Sequence, residues 1–153
     1  MALQLLGRAD GNTNFATQSF VVTSGVTITK GDFVYLASGE LTNSSVATQK
    51  LIGVALETKT GVADNSVECL VCVDPTMRYL VDNDNDGTTF AASHVGTYFD
   101  LIGATGAQLV DTSSTSTTGQ LLCLEYNPQV DPVRSDTSWG VFVIAEHYFY
   151  PAQ

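Results

Sequence analysis

Turn signals recur about every ten residues along this chain, and no helix-period pattern fills the gaps between them. Ser19–Thr23, Asp32–Ala37, Leu51–Glu57, Val67–Val73, Arg78–Val81, Tyr98–Ile102, Leu121–Tyr126 and Gly140–Tyr150 are rich in valine, leucine, isoleucine and aromatics. Between them stand Ser24-Gly25, Lys30-Gly31-Asp32, Ser38-Gly39, Asp64-Asn65, Asp74-Pro75 and the stretch from Gly103 to Gly106. Such residues tolerate positive φ, fix φ, or bond their own backbone. The pattern predicts an all-β protein, a compact β-sandwich or β-barrel. One short helix fits, Phe90–Val95, with Thr89 as its N-cap and Gly96 as a left-handed stop.

Several strands are apolar on both faces. In the last, Val141, Val143 and Ala145 alternate with Phe142 and Ile144. A strand of this kind must be covered twice, by the rest of its own domain or by a second subunit. The first eighteen residues hold few apolar side chains after Leu6 and are expected to form an extended N-terminal arm. Residues 19–153 then make a single β domain, and removing the arm should leave that domain folded. The segment Asp111–Gly119 is small and polar and is expected to be a surface loop. Residues 127–139, with Pro128 and Pro132, form a long connection before the final strand.

Composition bounds the function. A chain of 153 residues with 44% apolar content can bury enough surface to fold without a staple. Its apolar runs are too short to span a membrane. Sixteen acidic against six basic residues give a net charge of −10, a field that repels phosphate backbones, so neither nucleic acid nor membrane is expected as a partner. The segment Met1–Arg8 has no basic leader and only a short apolar stretch, so no secretory signal is expected there. Three cysteines make an odd count, which argues against a disulfide framework. Cys69 and Cys72 have the spacing of a zinc or redox pair, yet they sit within Val67–Val73, where residues three apart face opposite ways. Buried strand thiols are the better reading.

The most specific local pattern is Asp82-Asn-Asp-Asn-Asp-Gly87. Asp82, Asp84 and Asp86 occupy alternate positions before a glycine, as carboxylates do in a calcium loop, and Ca²⁺ is the one metal this chain suggests. The twelfth position is Ser93 instead of glutamate, so an EF-hand is rejected. The competing reading is an acidic turn without a cation. Neither histidine, His94 or His147, stands beside an obvious nucleophile, although distant residues could converge in the fold, and no catalytic motif is present. No enzyme activity and no cofactor are expected.

Thr29-Lys-Gly-Asp-Phe-Val34, Ala37-Ser-Gly39 and Leu51-Ile-Gly-Val-Ala55 together resemble the capsid decoration, or cement, proteins of tailed bacteriophages. Val95-Gly-Thr-Tyr-Phe-Asp-Leu101, then Gln108–Asp111, a Ser/Thr stretch and a closing strand are similar in layout, so the resemblance spans residues 19 to 150. It implies a virion protein, made in the host cytoplasm, that binds the capsid exterior with the major capsid protein as partner. Such proteins bridge capsid subunits, commonly as a homotrimer. On this reading the arm reaches a neighbour, and Leu3, Leu5, Leu6, Arg8 and Phe15 are its candidate contacts. An alternative from another class is a carbohydrate- or cell-surface-binding β-module of a phage fibre. That module would use the aromatics Trp139, Tyr148 or Tyr150. A β-barrel enzyme stands third.

Overall fold

Alternation along Met77-Arg-Tyr-Leu-Val-Asp82 dictates a strand whose odd positions enter a core, and a computed structural model of the chain has that arrangement. The structure describes residues 3–8, 10–11, 14–44, 49–84, 86–116, 119–126 and 138–148. Among them are thirteen strands: β1 (Leu3–Arg8), β2 (Thr17–Val21), β3 (Thr27–Ile28), β4 (Phe33–Ala37), β5 (Glu40–Asn43), β6 (Leu51–Ala55), β7 (Lys59–Thr60), β8 (Glu68–Cys72), β9 (Met77–Asp82), β10 (Tyr98–Ile102), β11 (Leu109–Ser116), β12 (Leu121–Tyr126) and β13 (Trp139–Ile144). They form a six-stranded sheet in the order β1-β9-β13-β12-β10-β11, a five-stranded sheet in the order β2-β8-β6-β4-β5, and a small β3-β7 ribbon. All the ladders are antiparallel. The protein is all-β and sandwich-like; of the two expected architectures, it is not a closed barrel.

The main core lies between the two larger sheets. Phe33, Leu51, Val54 and Cys72 come from one side, and Tyr79, Phe99, Leu101, Leu121, Cys123 and Phe142 from the other. Phe33 and Tyr79 meet edge to face with ring centroids 5.2 Å apart, which joins the sheets directly. Phe90, Phe99 and Phe142 form a second aromatic group, with centroids 5.4–6.0 Å apart. The far face of the five-stranded sheet carries a further core of Val22, Ile28, Val34, Leu41, Ile52, Ala55, Cys69 and Val71. That sheet curls around it until its edges touch at one parallel bridge, Val22 to Leu41. The strands with two apolar faces are therefore covered within one chain: every residue of β6 is buried. Double burial does not by itself call for a second subunit here.

Gly53 shows why the sequence folds this way locally. The β4–β6 register shifts beside it, and a Cβ at this position would lie 1.9 Å from the Cys72 carbonyl oxygen. Only glycine lets β6 and β8 approach so closely. The β4–β5 hairpin turns on Ser38 and Gly39, both at positive φ (52° and 86°), the geometry that matches strand twist.

Four expectations are corrected. Residues 3–8 do not project as an arm. They form β1 on β9, because Leu5 packs against the main core and Leu6 against Leu80, Trp139 and Val141. The 18/19 boundary likewise falls inside β2, which pairs with β8 from Thr17 onward. The Ser/Thr stretch is not a loop: residues 109–116 form β11 along β10. Threonine is β-branched and suits an edge strand, so low complexity misled the reading. The helix expected over Phe90–Val95 shrinks to a 3-10 turn, Ala92–His94, preceded by Ala91 and not by a Thr89 cap. Ala91 is held extended (φ −137°, ψ 167°) where the neighbouring Phe90 ring enters the core. Gly96 does follow at φ +83°. Residues 127–137 of the long connection lie outside the described residues, and Trp139 already belongs to β13.

Candidate functional site

The motifs that carry the resemblance are neighbours in space. Gly31 donates its N–H to the Ala55 carbonyl, and the Ala55 N–H returns to the Asp32 carbonyl, both at 2.9 Å. Thus the Lys30-Gly31-Asp32 turn is stitched to the end of β6. The Asp32 side chain, 2% exposed, accepts the Thr29 N–H at 2.8 Å, the Gly106 N–H at 2.6 Å and the Thr105 hydroxyl. A buried carboxylate is tolerable only with such donors around it. Two buried glutamines extend the joint. The Gln108 amide accepts the Phe33 N–H at 2.5 Å and donates to the Phe33 and Ser44 carbonyls. The Gln120 amide accepts the Leu101 N–H at 3.1 Å and donates to the Gln49 carbonyl at 2.8 Å. Sequence reasoning missed both glutamines, since a lone amide carries no pattern.

The other feature is an open cleft of about 540 Å³ lined by Arg8, Ala16, Asp74, Pro75 and Thr76. It lies at the end of β1, where Asp74-Pro75 turns β8 into β9. Arg8 Nε lies 3.3 Å from Asp74 Oδ2 and donates to Thr76 Oγ1 at 3.2 Å, while Nη2 lies 3.4 Å from Asp10 Oδ2. Thr76 in turn donates its hydroxyl (2.7 Å) and N–H (2.9 Å) to Asp74 Oδ1. Burial pushes the Asp74 carboxyl up, but the Thr76 donors and the Arg8 guanidinium outweigh it and hold it below the usual range. Chemically this is a clasp. It fixes β1 to the β8–β9 turn and keeps its carboxylate ionised, while the Arg8 side chain stays 31% exposed at the rim.

The structure separates the expected contact residues. Arg8 reaches the cleft; Leu5 and Phe15 face the main core, and Leu6 faces the outer cluster, so these three are not presented as an arm would present them. Leu3 pairs through its backbone with Val81, and its side chain lies outside the described ones. The acidic loop does not assemble as a calcium site. Asp82 Oδ1 accepts the Asn83 N–H, whereas Asp84 and Asp86 both turn to the Thr112 hydroxyl, at 2.8 and 3.4 Å. Among the described residues, no group of three His, Cys, Asp or Glu side chains is placed to hold a metal ion.

The cysteines divide as strand alternation requires: Cys69 enters the core on the far face of the five-stranded sheet, with Ile28 and Val71, and Cys72 enters the main one. Burial, with the nearby Glu57 charge, pushes the Cys69 thiol up to about 11, and burial does the same for Cys123. His94 is stacked edge-on against Phe90 and Phe99, and its Nδ1 accepts the Ala91 N–H. His147 is 1% exposed and sits where residues 146–148 join Leu51. Trp139 is 9% exposed against Leu80 and Val141, Tyr148 is 51% exposed, and Tyr150 lies outside the described residues. No protein-family model, no curated protein and no solved structure matches this chain.

Proposed function

We propose that this chain is a non-enzymatic structural protein of a phage virion, which binds the outer surface of the assembled capsid and stabilises it. The observation that carries the reading is the placement of β1. It is the terminal strand of the six-stranded sheet, and it ends at the Arg8 clasp beside an open cleft. A terminal strand can accept a further strand from a partner, and the partly exposed Arg8 guanidinium can add a carbonyl or carboxylate at its end. The contact is then made by the strand edge and Arg8, with Leu5 and Phe15 serving as its foundation. The glycine-anchored resemblance between Lys30 and Ala55 supports the same reading. A sugar-binding module gains less support, because Trp139 offers little ring surface for stacking and leaves Tyr148 as the one exposed ring among the described aromatics it would use.

Co-sedimentation with expanded capsids tests it. The full chain should pellet with capsids and raise their resistance to heat, and Arg8→Gln should weaken that binding, with the thermal midpoint measured beside it so that a loosened β1 is told apart from a lost contact. A full chain that stays in the supernatant overturns the proposal.

A further inference from the structure

Among the described residues, four aspartates fold the carboxyl back over the peptide that follows. Asp64, Asp74, Asp86 and Asp111 each accept, through Oδ1, the N–H two residues on, at 2.8–3.1 Å. Such a turn draws the carboxyl carbon across the intervening main-chain amide. At three of the four that amide is blocked. Asn65 donates its N–H to the Val62 carbonyl at 3.1 Å, Pro75 has no N–H, and β-branched Thr112 turns its amide to Asp84 Oδ1. At Asp86 the intervening residue is Gly87. Both residues are exposed, and Gly87, at φ +97°, has open space where a Cβ would stand. Its N–H has no acceptor among the described residues.

Dipeptide identity alone does not single out this position. Asp86-Gly87 has a twin in Asp10-Gly11, and Asn43-Ser44 and Asn65-Ser66 carry related chemistry. Tertiary structure occupies the amide at each of those three. Gly11 donates to the Arg8 carbonyl at 3.0 Å, Ser44 to the Phe33 carbonyl at 3.0 Å, and Ser66 to Asp64 Oδ1 at 3.1 Å. The Asp10 carboxylate is also held by Arg8 Nη2. We infer that the fold makes Asp86, and not its twin Asp10, a site of spontaneous conversion to isoaspartate. The Gly87 nitrogen bonds to Asp86 Cγ, and the amide proton leaves with the hydroxyl of the protonated carboxyl as one water. Water then adds to the main-chain carbonyl of the five-membered imide and breaks its bond to the Gly87 nitrogen. The chain now runs through the Asp86 Cβ, one methylene longer, and carries its carboxylate on Cα. The altered loop is the one that ties the end of β9 to β11, where Asp84 donates to the Val110 carbonyl and Asn83 Nδ2 to the Thr88 carbonyl. The inference is independent of the capsid reading.

Peptide mapping of the aged full chain tests it, with an endoprotease that cuts before aspartate and not before isoaspartate. After storage in warm neutral buffer, cleavage before Asp86 should be lost about tenfold faster than cleavage before Asp10, where a hydrogen bond must first open. In denaturant the two sites should react at similar rates, because only the fold distinguishes them. Gly87→Ala should slow the loss at Asp86, and the comparison of folded with unfolded parent decides the matter if that variant misfolds. Equal rates in the folded protein, faster loss at Asp10, or a gap that persists in denaturant overturns the inference.

Discussion

The Asp32 carboxylate accepts the Gly106 N–H at 2.6 Å across 74 positions of sequence, and so ties the start of β4 to the β10–β11 connection. These belong to different sheets, so one buried acid joins the two layers of the sandwich.

Removing that acid should be costly. Asp32→Ala strands the Thr29 and Gly106 amides and the Thr105 hydroxyl, and should lower stability by about 3 kcal/mol. Thr105→Val removes one of those donors and should cost about 1 kcal/mol. Urea unfolding monitored by circular dichroism measures both. An Asp32→Ala midpoint equal to that of the parent would mean that the joint is not held by this carboxylate.

Gly53→Ala introduces a methyl group into the Cys72 carbonyl. The strands must separate or the bulge must rearrange, at a cost of about 3 kcal/mol. The thermal midpoint should fall by several degrees, whereas a change at the open Gly39 turn should cost less. Equal effects at the two sites would refute the close-approach argument.

All three thiols should resist modification until the protein unfolds. Burial raises the Cys69, Cys72 and Cys123 thiols, so the reactive thiolate is scarce at neutral pH. A chromogenic thiol reagent should register no rapid reaction in buffer and three equivalents in denaturant. A fast native equivalent would place one cysteine at the surface.

Acid should loosen the junction at His147. Burial lowers its pKa below the ordinary 6.5, against the opposing Asp74 charge and Ile52 backbone bond. Above 6.5 both folded and unfolded forms are neutral, and the contribution is intact. As pH falls below 6.5 the unfolded chain binds the proton first, so stability drops by up to about 1.4 kcal/mol per pH unit until the folded pKa is passed. Asp74 acts in a separate window, losing its contribution only below its ordinary 3.8. His147→Gln should flatten the higher limb and leave the lower one. Identical pH profiles for parent and variant would exclude His147 as the titrating group.

The calcium reading makes the opposite demand. With Thr112 donating its hydroxyl to Asp84, and no group of three ligating side chains placed for a metal among the described residues, a chelator should leave the melting curve where it is. A fall in midpoint on chelation would restore the metal loop.

Much of the scaffold was legible from local chemistry. Tyr98–Ile102 and Leu121–Tyr126 are strands with the bounds that composition predicts, and Ser38-Gly39 turns a hairpin because its residues tolerate positive φ. The opposite facing of Cys69 and Cys72 followed from strand periodicity alone. Less of the site was legible. Arg8 and Asp74 are far apart in sequence, and the Asp74-Pro75 turn signal says nothing of its partner, so only β1 pairing with β9 brings them together. The acidic loop had a calcium spacing but not its geometry, because that depends on where Thr112 falls. Polar β11 was hidden since its neighbour, not its own hydrophobicity, makes it a strand.

The sequence by itself determined the all-β class, the turn positions and the faces on which side chains alternate, since these rest on φ preferences and a two-residue period. Tertiary structure decided which edges meet. It turned the first residues from an arm into a strand, covered both faces of β6 within one chain, and enclosed Asp32, Gln108 and Gln120 between the sheets. Those outcomes depend on contacts between distant segments, and the burial and pairing that set their energies do not exist until the sheets have packed.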